Sequence, residues 1–275
     1  MIDMQKPIQN SPVWRISDEM AMADSDWLAV EEPMLIRAKW MDVTETINIS
    51  VTMRTPGHDR ELAAGFLFTE GIIDSPEQVQ EVIQLPETPN EVVVYITGIH
   101  KQDLSMHQRN FYTSSSCGVC GKSSIESIKV KSIYPVRHET RIEEKLVREL
   151  PALLRESQQV FQSTGGLHGC GLFTDKGELL LLREDVGRHN ALDKLIGAAL
   201  LDKKLPLDDT VLMLSGRASF ELLQKAAMAG IPIVASVGAP SSLAVQMAED
   251  SGISLCGFVK ADRMNVYTGK DRIVL

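Results

Sequence analysis

The chain has 275 residues, 44% of them hydrophobic and 24% charged, the make-up of a globular protein long enough for one large domain or two smaller ones. Its formal net charge of −9 argues against binding a nucleic-acid backbone as the main task, so any anionic ligand must be met by a local basic cluster. Apolar runs such as Leu179–Leu182 and Leu195–Leu201 are far short of the ~20 residues that span a bilayer, Met1–Arg15 holds no signal-like apolar stretch, and four cysteines with one close pair do not make a secreted disulfide framework. The expectation is a cytoplasmic protein with mostly reduced thiols and neither membrane nor nucleic acid as partner.

In chain order, residues 1–26 are polar and aperiodic and are expected to form a loose arm. Leu28–Lys39 and Glu45–Met53 read as strands, the second through the alternation of Ile47, Ile49, Val51 and Met53 with polar residues. Thr55-Pro56-Gly57 is a turn, after which Asp59–Glu70 reads as a helix with Leu62, Ala63, Phe66 and Leu67 on one face. Ser75-Pro76-Glu77-Gln78 has the form of a helix start, with Ser as N-cap, Pro at the first helical position and Gln reaching back. Glu91–Thr97 is a further strand.

A long amphipathic helix is expected over Arg141–Ser163, broken or kinked at Pro151. Gly171–Thr174 and Leu179–Arg183 flank Asp175-Lys176-Gly177, a hairpin signal. Helices at Asn190–Leu201, Ser219–Ala229 and Ser241–Asp250 then alternate with short apolar strands at Thr210–Leu214, Ile231–Ser236 and Ile253–Val259. The predicted class is α/β, with a mixed, partly parallel sheet flanked by helices. A smaller N-terminal β-rich subdomain with one or two helices is expected over 1–110, and the α/β domain over 111–275.

Ligands of open α/β sheets bind beyond the carboxyl ends of the strands. Those ends carry Glu184-Asp185-Val186-Gly187-Arg188-His189, Ser215-Gly216-Arg217, Ser236-Val237-Gly238-Ala239-Pro240-Ser241 and Lys260-Ala261-Asp262-Arg263. Three of these segments put a basic group at the rim of an acidic protein, and helix starts at Ser219 and Ser241 can offer N–H groups to an anion. A phosphate-bearing ligand fits this pattern.

The stretch Ser114-Ser115-Ser116-Cys117-Gly118-Val119-Cys120-Gly121-Lys122 carries the chemistry. Its spacing brings two sulfurs within reach of each other or of one metal ion, and bare backbone with a nearby cation favours the thiolate. Three readings remain for the pair. A zinc site would recruit His168 and Cys170 at an unusual spacing, a thioredoxin-like dithiol would need a stronger following helix, and sulfur transfer would suit a mobile glycine-serine loop. A zinc deaminase is disfavoured, since none of the six histidines has Glu two positions on and Ser116 precedes Cys117. Cys256, within Ile253-Ser254-Leu255-Cys256, reads as core, and Cys170 is ambiguous.

The order of several short segments resembles the formate dehydrogenase accessory sulfurtransferase family, FdhD. They are Thr55-Pro56-Gly57 with Glu61–Leu67, the Cys117–Cys120 core, Thr164–His168, Glu184–Ala191, Ser215-Gly216-Arg217 and Phe258–Arg263. The resemblance implies a sulfur carrier that accepts sulfur from a cysteine desulfurase as a persulfide on Cys117, with Cys120 as its partner. It further implies transfer to the molybdenum cofactor, in its bis(molybdopterin guanine dinucleotide) form, before that cofactor enters formate dehydrogenase. Phe258, Val259, Lys260, Ala261, Asp262 and Arg263 match the family's cofactor-binding segment, beside which Arg188, His189 and Arg217 stand at neighbouring strand ends. A homodimer and a cytidine-deaminase-like core without the zinc site are implied as well, preceded by the cysteine loop at 112–122 and with no metal of its own.

Overall fold

In the computed structural model, which describes residues 6–98, 133–137 and 139–275, a four-stranded and a six-stranded sheet are joined through a pair of packed helices. The chain begins with a hairpin, β1 (Ile8–Ser17) and β2 (Met20–Ala29). Strands β3 (Glu32–Trp40), β4 (Ile47–Arg54), β5 (Val79–Gln84) and β6 (Glu91–Ile96) form the smaller sheet in the order β4-β3-β6-β5, with helix α1 (Asp59–Thr69) connecting its members. On β3 the alternate residues Met34, Ile36, Ala38 and Trp40 are buried, the period of a strand with one face on the core.

After a two-residue strand β7 (Ile142–Glu143) come helices α2 (Glu144–Ser157) and α3 (Gln159–Thr164) and the hairpin β8 (His168–Phe173) and β9 (Leu179–Asp185). Helix α4 (Arg188–Leu201), β10 (Val211–Leu214), α5 (Phe220–Met228), β11 (Ile233–Ser236), α6 (Ser242–Ser251) and β12 (Ser254–Gly257) supply the βαβ units. Strands β13 (Asn265–Thr268) and β14 (Ile273–Val274) close the chain. The larger sheet runs β13-β12-β11-β10-β8-β9, with β10, β11 and β12 parallel and the other pairings antiparallel. A mixed α/β architecture is therefore observed.

The central strands are covered on both faces. Leu212 and Leu214 of β10, with Val234 and Leu255, belong to the core under α4, α5 and α6. Val211 and Met213, with Phe173 and Ile233, pack with Leu150 and Leu154 of α2 on the other side. The first core is continuous with the smaller sheet, because α1 lies directly on α4. A glycine on each helix permits this. A Cβ at Gly65 would fall inside the Asp193 carbonyl, and one at Gly197 inside the Glu61 carbonyl. Around that contact Leu62, Leu67 and Phe68 are fully buried, each contributing about 1.5–3 kcal/mol by removal from water. The expected domain boundary near residue 110 lies outside the described residues.

Three expectations are corrected. The N-terminal arm is a regular hairpin: its turn residues Asp18 and Glu19 both have positive φ, at 50° and 64°, the geometry of a type I′ turn written without the usual Asn-Gly. The capping box at Ser75 is present, yet the helix stops after one 3-10 turn, Pro76–Gln78, because Val79 begins a strand paired to β6. The long helix does not break at Pro151. Burial of Val147, Leu150 and Leu154 carries α2 through the proline, and the break falls at Gln158, where the Glu184 carboxylate accepts the N–H groups of Val160 (3.1 Å) and Phe161 (2.9 Å) and starts α3.

Two outcomes follow from the α1 contacts. Gly65→Ala or Gly197→Ala forces the helix axes apart and should cost about 1–3 kcal/mol, read as a lower urea midpoint; an unchanged midpoint would refute the close packing. Arg183 donates through Nη2 to Glu61 Oε1 at 2.8 Å and through Nε to Oε2, tying α1 to β9. Burial alone would raise the Glu61 carboxyl, but its bonds to Arg183 and His58 outweigh that and hold it at about 2, below the ordinary 4.5. A lowered carboxyl stabilises the fold above its unfolded pKa and loses that contribution as pH falls toward its folded one. Glu61→Gln should therefore be less stable than wild type at pH 7, and the gap in urea midpoint should narrow below about pH 4.5.

Candidate functional site

Sheet direction collects the segments singled out in the sequence along one edge. The carboxyl ends of the parallel strands β10, β11 and β12 point the same way. Strand β8 runs against β10, pairing Leu214 with Cys170, so its first residue, His168, lies at that same edge. Strand β9 runs against β8 and pairs Asp185 with His168, which brings the start of α4 there too.

Asp185 organises the β9–α4 junction. It is fully buried and meets Lys194 Nζ at 2.7 Å, while Thr55 N (3.1 Å), Gly187 N (2.8 Å) and Asn190 Nδ2 (3.2 Å) donate to its two oxygens. Lys194 also donates to the Thr55 carbonyl at 2.8 Å, and Val186 N to Thr55 Oγ1 at 3.3 Å. Burial pushes the Asp185 carboxyl up, and the Lys194 ammonium with the N–H donors opposes that shift. The Thr55 turn and the Glu184–His189 segment are thereby one unit, which orients Arg188 and His189 at the helix start.

His189 is buried, with Nε2 3.1 Å from Ser219 Oγ and 3.5 Å from Glu221 Oε2. Ser219 is the N-cap of α5, but its hydroxyl serves His189 instead of its own helix. Glu221 lies 3.8 Å from Lys225, whose ammonium is fully buried against Asp193 (3.0 Å), Glu70 (3.2 Å) and Thr69 (2.9 Å). Burial would lower the Lys225 ammonium, but its carboxylates prevail and push it upward. A charge network thus runs from the α1–α5 contact to the rim. Ser241, by contrast, caps α6 conventionally, accepting from Ala244 N at 3.2 Å.

The loops after β10, β11 and β12 are stitched together by backbone. Gly238 N donates to Gly216 O at 2.9 Å, and Phe258 N to Gly238 O at 3.1 Å. A Cβ on Gly238 would press on Arg217 at 3.0 Å, so glycine there lets the two loops touch. Phe258 has φ +52° and presents an exposed ring next to this seam. Arg217 and Lys260 are exposed, Arg188 is half-buried with its Nε enclosed, and none of the three makes an ion pair among the described residues. His168 stands beside them, its ring 3.3 Å from the Cβ position of Gly216; burial, with the Arg188 cation, lowers its pKa and favours neutral imidazole.

Not every residue expected at the rim faces it. Val259 is buried in the core beneath α2. Ala261 accepts from Arg148 Nη1 at 2.6 Å, and Asp262 and Arg263 line a cavity of about 360 Å³ with Glu144, Arg148, Lys270 and Ile273. Arg188, His189, Arg217 and Phe258 thus lie along the strand-end edge, while Asp262 and Arg263 turn toward α2.

Cys117, Cys120 and the loop 112–122 lie outside the described residues. Cys170 and Cys256 are buried and unpaired, and burial pushes both thiols up, Cys256 to about 12, so neither is a thiolate at neutral pH. Cys170 directs its sulfur to the Arg188 carbonyl at 4.0 Å. Sequence reasoning missed the roles of Lys194, Glu221, Lys225 and Asp193. Charged residues inside otherwise apolar helix stretches were the available signal, since only a partner allows such burial.

The family model for the FdhD/NarQ family matches residues 29–274. Curated relatives named sulfur carrier protein FdhD include one from Streptomyces coelicolor, 45% identical over 99% of this chain and 98% of the relative, and one from Mycolicibacterium paratuberculosis, 47% identical over 95% and 97%. Another, from Sulfurisphaera tokodaii, is 39% identical over 97% of this chain and 99% of the relative. A crystal structure from Desulfotalea psychrophila, described as that of a candidate formate dehydrogenase accessory protein, superimposes with TM-score 0.74 at 25% identity, covering 98% of this chain and all of that one. With a family match over most of its length and relatives this similar from end to end, the chain belongs to the FdhD/NarQ family.

Proposed function

We propose that this protein is a sulfur carrier serving formate dehydrogenase, with Cys117 as the sulfur-bearing residue. The observation that carries the reading is membership of a family whose curated relatives are named sulfur carriers, over residues 29–274. The state of the other cysteines supports it: Cys170 and Cys256 are held as buried thiols, which leaves nucleophilic sulfur chemistry to Cys117 and Cys120.

The chemistry balances with the dithiol alone. The Cys117 thiolate attacks the outer sulfur of a persulfide on a cysteine desulfurase; a new S–S bond forms, the donor's S–S bond breaks and the donor leaves as thiolate. Release of that sulfur as sulfide needs two electrons. The Cys120 thiolate supplies them by attacking Cys117 Sγ, so that the persulfide bond breaks, hydrosulfide departs toward molybdenum and a Cys117–Cys120 disulfide remains.

The acceptor in this reading is the bis(molybdopterin guanine dinucleotide) form of the molybdenum cofactor, bound as substrate at the strand-end rim before formate dehydrogenase receives it. Arg188, Arg217 and Lys260 would meet its phosphates, guanidinium groups being able to grip them through paired hydrogen bonds. His189 would act through the rim, and the Phe258 ring offers a face for a base. Arg263, with Asp262, would serve only a part of the ligand that reaches round to the α2 side. Arg188 Nε, enclosed and without a hydrogen-bond partner among the described residues, favours an anion beside it. A cytidine-deaminase-like core without zinc, a homodimer and a cytoplasmic location complete the proposal; among the described residues no helix is long and apolar enough to cross a membrane.

Intact mass after incubation with a cysteine desulfurase and cysteine should show one added sulfur atom, lost on reduction and absent in Cys117→Ala. That variant should also fail to support an active dehydrogenase. Support without a mass gain would instead make the protein a cofactor chaperone. Guanosine diphosphate, titrated calorimetrically, should bind roughly tenfold or more weakly to Arg188→Ala and to Arg217→Ala, the loss expected for one charge-assisted bond each. Unchanged affinity in both would remove the rim as the nucleotide site.

A further inference from the structure

The hairpin β1–β2 has a solvent-facing apolar surface that nothing in the sulfur chemistry uses. Its ten residue pairs run from Ile8 with Ala29 to Ser17 with Met20, a ribbon about 33 Å long. This register puts Pro12, Trp14, Ile16, Ala21, Ala23 and Trp27 on one face. No charged side chain shares it, since Arg15, Asp24 and Asp26 all lie on the opposite face, where Arg15 pairs with Asp24 at 2.6 Å. Yet that apolar face is exposed: Trp14 by 71%, Ile16 by 76% and Trp27 by 48%. A two-stranded ribbon is marginal without a third strand or a packed face, and this one pairs with no other strand of the described residues.

We propose that a second copy of the chain docks on this face, ribbon against ribbon about a two-fold axis. The inference rests on the homodimer reading above and assigns its surface. Two observations favour a second copy over other occupants. A two-fold contact sets a patch against itself, so like charges would meet; for a chain of net charge −9 the uncharged face is what permits self-contact. A lipid surface is disfavoured by the same charges, because Asp18 and Glu19 sit at the ribbon tip, Asp24 and Asp26 back it, and Arg15 is already paired. In extent, the exposed parts of the two tryptophans and the isoleucine amount to on the order of 450 Å² per copy, from 150–250 Å² for a whole aromatic side chain. That is over half of the roughly 800 Å² each partner contributes to a stable interface. The ribbon base, where Val30 N donates to Pro7 O at 2.9 Å and Ala29 lies against Gly166, provides adjoining surface.

Sedimentation equilibrium of the full chain tests this. Wild type should be a dimer at micromolar concentration, and Trp14→Ser combined with Ile16→Ser and Trp27→Ser should weaken dimerisation at least ~100-fold, with circular dichroism and urea midpoint unchanged. If the triple variant misfolds, cross-linking decides. In a background with Cys117→Ala and Cys120→Ala, Ile16→Cys on the apolar face should give a covalent dimer on oxidation, and Met22→Cys on the other face should not. A monomeric wild type would overturn both this inference and the homodimer reading. A dimer indifferent to the triple variant, or cross-linked equally by both cysteines, would overturn the ribbon assignment alone. Loss of tryptophan exposure on neutral or anionic phospholipid vesicles, with wild type monomeric, would assign the face to a membrane.

Discussion

The buried Asp185–Lys194 pair is the interaction on which the site depends. Two charges taken out of water repay that cost only when their remaining valences are filled, and here they are: Asp185 receives Thr55, Gly187 and Asn190 as well as Lys194, and Lys194 gives its other bonds to the Thr55 and Glu184 carbonyls. The pair joins a turn of the smaller sheet to the end of β9 and the start of α4. Removing either partner would strand a buried charge and loosen all three at once. It therefore holds these segments in one loop geometry, the geometry that sets Arg188 and His189 on the strand-end edge.

Around it, the molecule separates two kinds of charge. Two of the buried ones show the first kind and are paired: Arg54 forks onto Asp59 at 3.1 and 2.9 Å, and Lys225 gathers Asp193, Glu70 and Thr69. The cations at the strand ends are not. Arg188, Arg217 and Lys260 have no acidic partner among the described residues, although acids outnumber bases in the chain by 37 to 28. Cations without an acidic partner among the described residues give this edge a local positive field, which is what an anionic guest needs. The glycine seam of Gly216 and Gly238 lets three loops touch behind that field, and Glu221 links His189 to the buried lysine network.

How much of this was readable in advance varies with how local the cause is. Helix α1 and the hairpin at Asp175-Lys176-Gly177 were legible because apolar period and turn residues are local signals. The strand-end segments were legible for the same reason: a short apolar strand followed by glycine and a basic residue marks itself. The first hairpin was not, because its type I′ turn uses Asp18 and Glu19 in place of Asn-Gly and its apolar residues stay in solvent. Pro151 misled since helix-breaking is a backbone rule, and packing of Leu150 and Leu154 against Phe173 and Met213 overrode it. The role of Ser219 was hidden too: a serine before a helix reads as its cap, and only the position of His189 turns the hydroxyl away.

By itself the sequence determined the α/β alternation, the glycine and basic residues at strand ends, the three-residue spacing of Cys117 and Cys120, and the ordered segments that mark the FdhD/NarQ family. These are written in neighbouring residues, where period, propensity and spacing act directly. Only tertiary structure decided that α1 and α4 meet at two glycines, that Asp185 finds Lys194 and Thr55, that Arg263 turns toward α2 while Arg188 and Arg217 stay on the edge, and that the ribbon leaves Trp14 and Ile16 uncovered. Each of these is a contact between residues remote in the chain, and its free energy comes from burial and pairing that exist only once the sheets have closed on each other.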